Sequence, residues 1–196
     1  PKGKLNYIMG NPPFVGASMM TKLQKEEAVS IFGKGKRVNS IDYVGAWYHK
    51  AAALLENTVV KAAFVSTNSI TQGEQVAPLW EKLLNIYKVH IDFAYRTFKW
   101  NSEAKEKAAV HCVIIGFSNA YNTHPKYIYT NGVTRQEAQN INPYLVDAPD
   151  ILISSRGSAL CDVPRMTKGN QPSDGGNLIL SQKERDELLS KDASIA

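Results

Sequence analysis

The chain has 196 residues, 43% of them hydrophobic and 21% charged, with a formal net charge of +5. That is ordinary globular material, sufficient for one good core or one core with a small appendage. No apolar run approaches the length of a membrane span, and the opening residues do not form a signal sequence, so a cytoplasmic protein without a membrane partner is expected. The positive excess lies wholly in residues 1–50, while residues 51–196 balance. Cys112 and Cys161 have no metal-ligand spacing, so no metal site is expected and a reducing compartment is implied. Pro1-Lys2-Gly3 lacks an initiator Met and runs almost at once into a strand, which suggests a piece of a longer protein.

The first element is a short strand over Leu5–Met9, expected to be buried. Asn11-Pro12-Pro13-Phe14 follows after Gly10. Adjacent prolines lack N–H donors and have a locked φ, so they admit neither helix nor sheet ladder. The quartet must therefore be a stiff, irregular turn at the end of a strand, where open α/β sheets keep their ligand sites. A plain Asx-type turn, or a polyproline-type ligand for another protein, would have the same composition.

Thr21–Phe32 reads as a helix ending at Gly33. The next stretch, Gly33-Lys34-Gly35-Lys36-Arg37, is a flexible basic loop suited to tracking a polyanion backbone. Ser40 is a plausible N-cap for a helix carrying Tyr43, Ala46, Trp47, Lys50, Ala51, Leu54 and Leu55 at helical spacing. Val59–Thr67 is a nearly continuous apolar run, as expected of a central parallel strand buried on both faces. Its polar exit, Thr67-Asn68-Ser69, is placed to line a pocket. A helix over Glu74–Tyr87 and a strand over Val89–Tyr95 follow.

Strand, helix, strand, helix, strand in that order implies right-handed crossovers and a parallel sheet. Only a charged loop, Lys99–Lys107, separates Val89–Tyr95 from an apolar strand over Ala108–Ser118, so those two should pair antiparallel. Lys126–Thr130 is expected as a short edge strand. From about Asn140 the prolines at 143, 149, 164 and 172 and the pair Gly175-Gly176 mark a change of texture. It divides the chain into 1–139 and a linker or new domain at 140–196. Ser181 with Glu184 forms a capping box for a last helix.

The turn carries a specific chemistry. The amino nitrogen of a ring such as adenine is a poor nucleophile because its lone pair is delocalised. Two acceptors on its two hydrogens would draw it toward tetrahedral geometry. The Asn11 side chain and the Pro12 carbonyl, stiffened by Pro13, can supply them, and Phe14 can stack on the ring. Such catalysis is positioning and electrostatics.

"GNPPF" after a strand resembles the catalytic motif of class I S-adenosylmethionine-dependent methyltransferases, particularly those that methylate the adenine amino group in DNA. "AAFVSTNSITQGEQV" is similar to the next strand and its exit loop, and "RTFKWNSEAKEKAAVHCVIIGF" to an antiparallel hairpin carrying a second aromatic against a flipped base. "INPYLVDAPDI" and "MTKGNQPSDGGNLILS" resemble the join into the target-recognition domain of single-chain restriction-and-modification enzymes.

The resemblance implies an α/β fold: the carboxyl-terminal half of a Rossmann-like methyltransferase sheet, parallel strands plus an antiparallel hairpin, with an irregular extension. It makes residues 1–139 a partial catalytic domain and 140–196 the start of target recognition. It implies Asn11, Pro12, Pro13 and Phe14 as the catalytic motif, with Asn11 also toward S-adenosylmethionine. Phe98, with Trp100 as the alternative, falls at the second aromatic position, and Asn68 and Ser69 in the substrate pocket. Lys34, Lys36, Arg37 and Lys99 are the expected contacts to double-stranded DNA. The family's glycine-rich cofactor loop and acidic ribose ligand are absent from the sequence and would precede Pro1. A fragment of this kind should be inactive alone and prone to self-association through an uncovered sheet edge. Methylation of RNA or of a protein glutamine, or a non-catalytic DNA-binding module, are the competing readings.

Overall fold

The computed structural model describes residues 5–35, 38–100, 110–120, 124–164 and 179–191. The chain forms two compact units, Pro1–Ser155 and Arg156–Ala196. The first is built on a six-stranded mixed sheet. Its strands are β1 (Tyr7–Gly10), β2 (Lys61–Thr67), β3 (His90–Trp100), β4 (Val110–Ser118), β5 (Lys126–Thr130) and β6 (Thr134–Ala138). Their spatial order is β1-β2-β4-β3-β5-β6. β1 and β2 are parallel, as are β3 and β5. β4 runs antiparallel to both of its neighbours, β2 and β3.

Helix α1 (Lys22–Phe32) starts at Thr21, whose side chain accepts from the Gln24 backbone N–H while Gln24 reaches back to the Thr21 N–H. This reciprocal cap satisfies two of the orphan donors of a helix start. The helix stops where Gly33 adopts φ +83, a left-handed region that suits glycine. Helices α2 (Val44–Leu55) and α3 (Val76–Asn85) supply the core on one face of the sheet. At its centre the fully buried Tyr48 ring stacks on Phe117 at 5.2 Å and meets Phe64 edge-on at 5.3 Å. Its hydroxyl shares a 2.8 Å hydrogen bond with the equally buried Ser66, and burial pushes the phenol upward in pKa. Without that bond a buried hydroxyl would cost roughly 1–3 kcal/mol. Trp80 is likewise buried and donates its indole N–H to the Ile70 carbonyl at 2.9 Å.

Several expectations need correction. β1 is an edge strand among the described residues and mostly exposed, with Tyr7 at 66% and Met9 at 78%, because β2 alone of the described strands pairs with it. β2 alternates: Ala62, Phe64 and Ser66 are buried under the helices, whereas Ala63, Val65 and Thr67 are half-buried on the other face. Ser40 lies in a 3-10 turn, Val38–Ser40, and α2 begins at Val44 after Tyr43, with no side-chain cap. β5 is not an edge strand, since β6 pairs along its whole length. β3 runs on to Trp100, so Lys99 belongs to a strand; the rest of the expected charged loop, 101–107, lies outside the described residues.

Beyond β6, the chain from Gln139 to Asp150 is stitched by its own side chains. Asp147 accepts from the Gln139 and Asn140 backbone N–H groups, and Asn140 donates to the Ala148 carbonyl. Ile141 bridges to Ile91 of β3 and is buried. Within the second unit the described helix is α4 (Gln182–Lys191). The Ser181 hydroxyl and N–H both bond to Glu184, holding that carboxyl below its usual range.

Candidate active site

β1 ends at Gly10, held in the ladder opposite Phe64. The next six residues, 11–16, have no regular structure, as the prolines require. Their downstream end is held by two backbone anchors. The Tyr43 N–H donates to the Val15 carbonyl at 2.9 Å, and the Ala17 N–H donates to Asp42 Oδ1 at 2.9 Å. Between these supports Pro12 is buried, Asn11 and Pro13 are exposed, and Phe14 is half-buried. The Asn11 amide has no hydrogen-bond partner among the described residues, so it does not close an Asx turn on its own backbone. Phe14 is not among the half-buried residues packed on the core.

The β2 exit stands beside this turn, because β1 and β2 are adjacent and parallel. The Thr67 and Ser69 hydroxyls are 2.7 Å apart, and Ser69 donates to Asp42 Oδ2 at 2.6 Å. Gln75 donates to the same oxygen at 3.1 Å and accepts from the Asp42 N–H at 3.1 Å. Ser69 is thus engaged within the protein, whereas the half-buried Asn68 amide, like that of Asn11, has no partner among the described residues.

Phe98 reaches the same end of the sheet by way of an irregularity. Tyr95 faces Ile114 and Phe98 faces Cys112, so β3 carries one more residue than β4 over that interval. Such a bulge keeps Phe98 on the face of Tyr95, whereas an odd spacing in a regular strand would put it on the other. Cys112 in turn faces Thr67, so Phe98, Cys112 and Thr67 form one row across three strands. At normal strand spacing the Phe98 and Thr67 backbones are about 10 Å apart. The Phe98 ring is half-buried, 6.2 Å from that of Trp100, which is 39% exposed. Cys112 is buried, and burial raises its thiol pKa.

Of the expected cations, Lys34 and Lys99 are exposed, and Lys34 shares a shallow groove with Lys22 and Lys25 of α1. Lys36 and Arg37 lie outside the described residues. A cavity of about 1000 Å³ bounded by Asn6, Glu56, Tyr87, Lys88 and Asn119 lies at the opposite end of the strands, away from the turn. Among the described residues no group of three His, Cys, Asp or Glu could hold a metal.

The sequence does not single out Asp42 and Gln75, whose hydrogen bonds join the end of the turn to the β2 exit. The available signal was an isolated Asp-Tyr pair just before the apolar start of α2.

Residues 2–130 match the family model "MmeI, DNA-methyltransferase domain", and residues 147–196 match "MmeI, target recognition domain". DNA methyltransferase A of Bacillus subtilis (strain 168) is 42% identical over 185 residues, which is 94% of this chain and 21% of that protein. A solved structure of the Type IIL restriction-modification enzyme MmeI in complex with DNA superposes with a TM-score of 0.87 at 43% identity. That match covers 98% of this chain and 26% of the MmeI chain. The sequence thus spans about a quarter or less of the length of these relatives.

Proposed function

The chain belongs to the MmeI DNA-methyltransferase family, and on that premise we propose that it forms part of a longer adenine-specific enzyme of a restriction-modification system. Its reaction is transfer of a methyl group from S-adenosylmethionine to the exocyclic amino group of an adenine extruded from duplex DNA. The observation that carries this reading is the exposed amide of Asn11, without a partner among the described residues and set on a proline-stiffened turn between two anchored ends.

The amino group of adenine has two hydrogens and a lone pair spread into the ring. Asn11 Oδ1 and the Pro12 carbonyl would accept one hydrogen each, which favours a tetrahedral nitrogen and localises the lone pair for attack. Because the turn is already rigid, little reorganisation is needed at the moment of reaction. Phe14 and Phe98 would hold the extruded base by stacking, since a base within a duplex must be taken out of the stack before chemistry. Asn68, whose amide has no partner among the described residues, would offer a second amide to the base edge.

S-adenosylmethionine would supply a methyl carbon already activated by its sulfonium. The neutral acceptors of the turn suit a nitrogen that becomes positively charged on methylation. The chain's share of that cofactor's site is Asn11 and its turn. Neither a strand-following glycine-rich loop nor an acidic ribose ligand occurs in its sequence, so the isolated chain is expected to transfer no methyl groups.

Full-length enzyme should convert adenine in duplex DNA to N6-methyladenine, read by nucleoside digestion and mass spectrometry. Labelling of RNA or of protein glutamine instead would reassign the substrate. Methylation by the 196-residue chain alone would show that the cofactor site is complete within it.

A further inference from the structure

We propose that Asp42 is a positioning residue for methyl transfer: its carboxylate ties the far end of the Asn11–Phe14 turn to the exit loop of β2. The inference rests on the reading of Asn11 given above. The turn's near end is fixed by the pairing of Gly10 with Phe64. Its far end has two holds, and both come from the start of α2: Tyr43 N–H to Val15, and Asp42 Oδ1 to the Ala17 N–H. Only Asp42 also reaches the neighbouring strand's exit, through Ser69 and Gln75 on Oδ2.

With three donors on its two oxygens, the carboxylate is occupied within the protein and has no role as a base toward substrate. Its effect is geometric. If the far anchor shifts, the short span from Asn11 to Phe14 shifts with it, and so do both acceptors for the amino group. Ser69 moves in step, carrying the Asn68 amide beside it. A displacement of about 1 Å at a reacting centre can cost about a hundredfold in rate.

The test uses the full-length enzyme and single-turnover methylation of duplex DNA at saturating cofactor, expressed per active site. Asp42→Asn converts Oδ2 into a donor that faces the donors of Gln75 and Ser69, and should slow transfer about a hundredfold with DNA affinity unchanged. Asp42→Asn with Gln75→Glu restores the pattern. The amide introduced at position 42 can then donate to the carboxylate introduced at position 75 and to the Ser69 hydroxyl, while its oxygen still takes the Ala17 N–H. That pair should return most of the lost rate.

Wild-type rate in Asp42→Asn overturns the proposal. So does a double variant that recovers melting temperature but not rate, because a purely structural role predicts that split. Should Asp42→Asn fail to fold, Ser69→Ala removes one link only. A rate constant per active site that drops in this variant at unchanged KM for DNA supports the proposal, and an unchanged one overturns it. Asn11→Ala run alongside separates the two readings. If Asn11→Ala methylates normally, the function assigned to the turn fails. If Asn11→Ala is dead and Asp42→Asn is normal, only the role of Asp42 fails.

Discussion

The chain contains two Asn-Pro turns that use the same side chain in opposite ways. Asn142, before Pro143, is 5% exposed and spends its amide on its own backbone. Its Oδ1 accepts from the Tyr144 and Val146 N–H groups at 3.0 and 3.3 Å, and its Nδ2 donates to the Pro149 carbonyl. The closed loop drives Leu145 into the core at a φ of +57, a left-handed conformation that a leucine adopts only when its surroundings demand it. Asn11, before Pro12, makes none of these bonds among the described residues and is exposed. An asparagine whose amide closes a loop is consumed by folding, whereas one held on a stiff turn with its amide open is available to a ligand. Composition alone does not separate the two.

The largest expected effect comes from exchanging their fates. Asn11→Ala in the full-length enzyme should abolish methylation while leaving DNA affinity and melting temperature nearly unchanged, because affinity comes mostly from phosphate contacts. Asn142→Ala should do the reverse. Two backbone donors and one acceptor lose their partner, at about 1–3 kcal/mol for each group left unsatisfied, and the melting temperature falls while the rate per folded molecule persists. A stable Asn142→Ala protein would remove the distinction.

Phe98→Ala should cost less, roughly 1–3 kcal/mol, the range for a base–aromatic stack. The loss should shrink when the target adenine is mispaired, since extrusion is then easier. An equal loss on paired and mispaired targets, with a lowered melting temperature, would return Phe98 to the class of Asn142, a residue spent on the fold. Replacing Lys34, Lys36 and Arg37 together by Ala should weaken DNA binding uniformly across sequences. For every phosphate no longer neutralised, the magnitude of the log–log salt slope should fall by about 0.9. An unchanged slope would mean these charges face only solvent.

The smallest effect belongs to α4. The Glu184 carboxyl is held low by its bonds to Ser181. Its support for the helix start is therefore present above the ordinary glutamate range and fades as pH falls through the lowered value. Ser181→Ala should fray this helix at neutral pH and erase that acid dependence, both visible in the amide shifts of the first turn.

The parallel strands, the hairpin pairing and the NPPF turn were legible because each rests on local rules: apolar runs, short connections and prolines. What escaped has a physical reason in each case. β6, Thr134–Ala138, has a polar sequence exposed at all but its last residue, and it exists by pairing with β5. The expected Ser40 cap failed because the chain first makes a 3-10 turn, which frees Asp42 to reach Ala17 and Gln75. The bulge that turns Phe98 to the Tyr95 face leaves no mark in residue type. Near Asn140, where the texture of the sequence changes, side chains fold back on the main chain.

The place of β4 also sets a timetable for synthesis. β2 and its β4 partner are about fifty residues apart in sequence, a long loop to close, and β3 must wait for the same strand on one side. At about 5–20 residues per second, β2 leaves the ribosome several seconds before the strand that covers its open edge. During that interval β2 has β1 alone, and its free backbone groups form an adhesive edge. Ribosome-stalled chains ending before Val110 should be digested rapidly by protease and captured by chaperones. Chains long enough to expose Ser118 should gain resistance in a single step, because β4 then joins the β1-β2 pair to β3, and β5 and β6 are added to the far side of β3 afterwards.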